Sequence, residues 1–163
     1  MIIIGADPGL TGALAAIDTA GPRLLAVFDM PVLDFGTKTR RIVDARAVAE
    51  WTAAFDAACA VVEHAQPRQG EGVMGAFMLG KMAGGLESAL AATGLPLHYS
   101  TPASWKAKAG LIKADKKRSL DLARQLFGSP DEFRRVKDHG RAEAALLAWF
   151  GLPEKVMGKR AAA

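Results

Sequence analysis

IIIGADPGLTG, residues 2–12, decides how the rest of the chain is read. Three branched apolar residues, Ile2 to Ile4, read as a buried strand that continues through Gly5 and Ala6 to Asp7 and is stopped by Pro8-Gly9. Ligand sites in open α/β sheets gather at the carboxyl ends of strands, and a carboxylate held at that rim by a turn suits such a site. Asp before Pro-Gly also suits an ordinary turn, so the meaning of Asp7 depends on what else reaches the rim.

Outward from this stretch, "GALAAIDTAGPRLLAVFDMP" reads as two more strands joined by a Gly21-Pro22 turn, an antiparallel meander with the first. "FGTKTRRIV" is polar and reads as a loop leading to a helix. That helix starts with Asp44 as N-cap and runs through "ARAVAEWTAAFDAA", with Val48, Trp51 and Phe55 on one face. "CAVVEHA" suits a central strand, and "GVMGAFMLGKMAGGLESALAATG" has helical periodicity up to Gly94. "LPLHYST" is a fifth strand, "ADKKRSLDLARQLFG" an amphipathic helix, and "GRAEAALLAWFG" a last helix ending at Gly151. The expected fold is α/β, a mixed five-stranded sheet with its first three strands antiparallel and helices covering it. Residues 1–152 are expected to form one domain and residues 153–163 a flexible tail.

Composition narrows the function classes. Half of the 163 residues are hydrophobic, and no run approaches the roughly 18 apolar residues of a membrane span. The N-terminus lacks a signal-peptide pattern, so a cytoplasmic protein is expected. Cys59 is the only cysteine, which excludes an internal disulfide and a cysteine-built zinc site; within "AACAVVE" it suits a small core residue. The net charge of +4 is unevenly spread. Between Thr101 and Arg141 eleven cations face five anions, which favours a polyanionic partner.

Three further acidic positions share the character of Asp7. Glu63 ends the apolar run "AVV" at the tip of the fourth strand. Glu143 lies among alanines and leucines in the last helix, and Asp138 and His139 immediately precede that helix. If the first and fourth strands are adjacent and parallel, Asp7 and Glu63 share one edge, and a helix crossing it brings Glu143 beside them. Oxygen-rich clusters of this kind suit Mg²⁺ or Mn²⁺. Each residue also has a plain structural role open to it: a turn for Asp7, a solvated strand end for Glu63, an N-cap for Asp138.

In their order along the chain these segments resemble the RuvC-type Holliday junction resolvases of the RNase H-like superfamily, in particular a phage-like subtype. The resemblance is carried by "IIIGADPGLTGALAAID", "AVVEHAQPRQGEGVMGAFMLGKMAGG" with its Phe77 and Leu79-Gly80 step, "TPASWKAKAGLIKADKKRSLDLARQLF" and "DHGRAEAALLAWFG". It implies an RNase H-like sheet flanked by helices on both faces. It also implies hydrolysis of phosphodiesters in four-way DNA junctions, with two Mg²⁺ ions (or Mn²⁺) held by Asp7, Glu63, Glu143 and either Asp138 or His139. The last motif departs from the family's usual spacing, because Gly140 stands three residues before Glu143. His139, four residues before, shares a helical face with Glu143, whereas Asp138 has the better ligand chemistry.

Branched DNA is then the expected partner. Lys106, Lys108, Lys113, Lys116, Lys117 and Arg118 are candidates for phosphate neutralisation. Trp105 is a candidate for base stacking or for the core, and Gln66, Arg68 and Gln69 are candidates in the loop after Glu63. A two-fold junction suits a two-fold dimer. The resemblance places its interface on the long helix, at Phe77, Met78, Gly80, Lys81 and Gly84. An actin-like ATPase needs two such domains and is excluded by length; a nuclease on RNA–DNA hybrids and a non-cutting branch-binding domain remain open.

Overall fold

A computed structural model describes residues 1–67, 69–128 and 131–153; the side chains of Thr37, Lys38, Thr39 and Lys116 also fall outside that description. The expected DNA contact Arg68, the side chain of Lys116 and nearly all of the expected tail therefore lie outside the described residues.

Strands β1 (Ile2–Ala6), β2 (Ala13–Asp18) and β3 (Arg23–Asp29) form the expected antiparallel meander. A two-stranded hairpin follows, β4 (Val32–Phe35) and β5 (Thr37–Val43), where the sequence reading expects a loop. Gly36, at φ +71°, makes its turn, and Val43, 5% exposed, packs beneath the long helix. Polar residues hide this hairpin because it forms its own small sheet outside the main one.

Helix α1 (Ala45–Ala53) begins as expected, with the Asp44 carboxylate accepting from the Ala47 amide at 3.1 Å. It stops earlier than its periodicity suggests, and β6 (Ala57–Glu63) starts within the stretch read as helix. Helix α2 (Val73–Ala92) leads to β7 (Leu97–Ser100). The main sheet has the order β3-β2-β1-β6-β7, with β6 parallel to both β1 and β7. Helices α3 (Pro102–Lys108), α4 (Lys116–Phe127) and α5 (His139–Phe150) follow, with two short 3₁₀ turns, Asp131–Phe133 and Val136–Asp138, before α5. The sequence reading misses α3, although Thr101 caps it by accepting from the Ser104 amide at 3.2 Å and Pro102 opens it.

Period-two alternation divides the core. Ile3, Ala13, Ala15, Ile17, Cys59 and Val61 face α3, α4 and α5, while Ile4, Ala6, Leu14, Ala16, Ala60 and Val62 face α1 and α2. Helices therefore cover both faces, as expected. No helix among the described residues is long and apolar enough to cross a membrane.

Two glycines, Gly5 and Gly140, set how closely α5 meets the first strand and its turn, and a third, Gly12, lets that turn close on itself. A Cβ on Gly5 would collide with the Ala144 carbonyl oxygen and come within 2.9 Å of Ala148 Cβ. One on Gly140 would strike the Thr11 carbonyl oxygen, and one on Gly12 the Asp7 carbonyl oxygen. The helix thus rests almost backbone to backbone on β1 and on the turn that carries Asp7. Arg141 clamps its outer side to Asp29 at the end of β3, through bonds of 2.5 and 2.6 Å.

Candidate active site

Parallel pairing of Ala6 with Val62 makes Asp7 and Glu63 the next positions along adjacent strands. Alternation turns both toward α5, the face to which Gly5 and Val61 belong. The glycine-mediated approach of α5 then carries Glu143 to the same rim. Asp7 is shaped locally by its turn: its amide donates to the Ala13 carbonyl and its Oδ1 accepts from the Gly9 amide, both at 3.0 Å.

Other side chains complete the rim. The Trp105 indole N–H donates to Glu63 Oε2 at 2.7 Å. Lys106 Nζ donates to Glu143 Oε1 at 3.1 Å, and the Ser119 hydroxyl reaches the same oxygen at 3.3 Å. Helices α3, α4 and α5 therefore each contribute, and none of these partners is visible from spacing along the chain.

The carboxylates feel one another. Burial pushes Glu63 from its usual 4.5 up to about 7; the Trp105 N–H opposes this, and the charges of Asp7 and Glu143 add to it. Asp7 is also raised, chiefly by burial, with the Gly9 amide opposing and Glu143 adding; Lys106 and His139 pull it back. A carboxyl whose folded value is raised stabilises the fold below its unfolded value and loses that contribution as pH rises through the folded value. The metal-free protein is therefore expected to lose thermal stability between about pH 4.5 and 7. Melting curves in EDTA across that range check this, and Glu63→Gln should flatten the slope; an unchanged slope in that variant contradicts the assignment.

The two candidates for a fourth position separate. Asp138 is 2% exposed, and both of its oxygens are engaged by Arg135, whose amide donates at 2.7 Å and whose guanidinium donates at 2.8 to 3.2 Å. Burial pushes its carboxyl up, but the bonds from Arg135 outweigh this and hold it below the usual carboxylate range. Its charged neighbours include Arg135, Arg141 and Asp29, so in this structure the Asp138 carboxylate is committed to Arg135. The charge of His139 acts on Asp7, and its Nδ1 lies 3.3 Å from the Val136 carbonyl oxygen.

The basic segment also divides. Trp105 is fully buried, so it holds Glu63 and is unavailable for stacking on a base. Lys106 is turned into the acidic rim rather than outward, and Lys108 donates to the Leu152 carbonyl at 3.0 Å, tying α3 to the end of α5. Lys113, Lys117, Arg118, Gln66 and Gln69 are exposed.

The three carboxylates are oxygen donors of the kind a hard divalent cation takes. The Lys106 ammonium bonded to Glu143 shows that the rim accepts positive charge. Among the described residues, no three His, Cys, Asp or Glu side chains are placed so that they could hold a metal ion together.

No protein-family model matches the chain, and no curated protein sequence does. Solved structures do. Thermus thermophilus RuvC in complex with Holliday junction substrate superposes with a TM-score of 0.69 at 20% identity, over 97% of this chain and 96% of that one. A second Thermus thermophilus RuvC structure gives a TM-score of 0.67 at 24% identity, over 97% of each chain. The chain is thus similar to these proteins in fold along nearly its whole length, including the mixed sheet and its flanking helices.

Proposed function

We propose that this chain is a metal-dependent endonuclease that resolves four-way DNA junctions by paired phosphodiester hydrolysis. The observation that carries this reading is the meeting of Asp7, Glu63 and Glu143 at the carboxyl rim of the sheet, next to an exposed basic helix. The likeness in fold to a RuvC structure containing Holliday junction substrate supports the choice of a junction as substrate.

Asp7, Glu63, Glu143 and His139 would hold a pair of Mg²⁺ ions, or Mn²⁺. Such ions supply the charge that activates an attacking water and stabilises the leaving 3′-oxygen. Trp105 fixes the orientation of Glu63, and Ser119 that of Glu143. His139, whose charge acts on Asp7, would orient the attacking water. Lys113, Lys117 and Arg118 neutralise backbone phosphates, so binding weakens steeply with salt.

Two cuts in one junction call for two copies. Val73, Met74 and Phe77 expose apolar surface on α2, and Leu33 and Phe35 expose more on the neighbouring hairpin. Lys81 bridges these elements, with Nζ 4.5 Å from the Phe35 ring centre and 5.9 Å from that of Phe77. Gly80 and Gly84 are exposed along the same helix, whereas Met78 is half-buried. This face would pair two protomers about a two-fold axis.

Nicking of a synthetic four-way junction in Mg²⁺, with duplex, flap and RNA–DNA hybrid as controls, tests the reading. Symmetric paired cuts confined to the junction are expected; equal cutting of the hybrid would reject it. The fourth position is tested separately. Asp138→Ala should lower the melting temperature by several degrees yet still cut, whereas His139→Ala should melt normally and cut poorly. The opposite pattern would return Asp138 to the site.

A further inference from the structure

Lys106 differs from the exposed cations that follow it. Its Nζ bonds Glu143 at 3.1 Å and stands 5.0 Å from the Trp105 ring centre. The side chains of this pair are only 28% and 17% exposed, and the Lys106 charge acts on Asp7 and Glu63 as well. One ammonium thus serves all three carboxylates, directly or through its field.

We propose that Lys106 is a built-in counter-ion that occupies the cation position of the acidic rim in the metal-free protein and gives way to a divalent cation. The inference rests on reading the rim as a divalent-cation site. Carboxylates gathered at a half-buried rim repel one another unless positive charge lies among them. Lysine suits a replaceable counter-ion: its charge is compact and its flexible stem lets the head swing out while the backbone stays fixed. That backbone is anchored on both sides, by the buried Trp105 indole and by the bond from Lys108 to the Leu152 carbonyl. A strut that merely positions Glu143 would have the opposite effect on metal affinity. Removing a strut weakens metal binding, whereas removing a competitor strengthens it.

The test uses the full chain without DNA: calorimetric titration with Mg²⁺ and melting curves in EDTA and in Mg²⁺. Wild type is compared with Lys106→Met, Lys106→Arg and Asp7→Asn. Wild type should bind Mg²⁺ and Asp7→Asn should bind it far more weakly. Lys106→Met keeps the apolar stem but loses the charge. It should melt below wild type in EDTA and bind Mg²⁺ about tenfold more tightly, while Lys106→Arg, which keeps the charge, stays near wild type. Unchanged or weaker Mg²⁺ affinity in Lys106→Met, with wild-type binding intact, overturns the counter-ion and leaves the cation site standing. Equal tightening in Lys106→Arg also overturns it, because charge is then not the cause. Failure of wild type to bind Mg²⁺ removes the cation site itself, and the inference with it.

Discussion

Asp7→Asn should lower Mg²⁺-dependent junction cleavage by about a thousandfold, equivalent to ~4 kcal/mol of transition-state stabilisation, while junction binding stays within a few-fold of wild type. The amide is nearly isosteric and can still accept from the Gly9 amide, so the turn at the end of β1 survives. What disappears is one negative charge from a rim where Glu143 already opposes it. Because burial raises the Asp7 carboxyl, its ionised form costs folding stability near neutral pH. The variant should therefore melt at or above the wild-type temperature in EDTA, which separates lost chemistry from lost fold. Single-turnover cleavage, a gel-shift titration and a melting curve together decide it; cutting at the wild-type rate would refute the role given to Asp7.

Gly5→Ala should be strongly damaging, at about 3 kcal/mol of unfolding free energy. The new Cβ would meet the Ala144 carbonyl oxygen, the Ala148 amide nitrogen at 2.8 Å and Ala148 Cβ at 2.9 Å. Two of those three atoms are helix backbone, so relief requires α5 to lift from β1 as a unit. Glu143 rides on that helix, and cleavage should fall along with stability. Gly21→Ala, which meets nothing within 4 Å, is the control and should stay within about 0.5 kcal/mol of wild type. Denaturant unfolding of the two variants gives the comparison, and equal midpoints would show that the close approach carries no strain.

The legible part of the fold was the part written in periodicity. The apolar runs of Ile2–Ala6 and Ala13–Asp18 and the Gly21-Pro22 turn mark the meander, and the spacing of Val48, Trp51 and Phe55 marks α1, although Phe55 lies just past its end; the Trp51 ring stacks on Phe28 at 5.8 Å and meets Phe55 at 4.8 Å. The β4–β5 hairpin was not legible because its residues are largely polar and its support comes from α2, far along the chain. Helix α3 is hard to read because at seven residues it is too short for a clear apolar period. The start "TPASW" carried a Thr cap and a proline at the first helical position, the signal that should have found it.

The sequence by itself determined the five strands of the main sheet, the helices α1, α2, α4 and α5, and the placing of acids at strand tips, because these follow from local apolar periodicity and turn chemistry. Only the tertiary structure decided that Asp138 belongs to Arg135, that Trp105 holds Glu63, and that Lys106 turns inward to Glu143. The last two pairs join residues 42 and 37 positions apart. Such partners are chosen by how closely α5 can lie on a glycine of β1 and by where α3 then docks against both, and no local pattern encodes that distance.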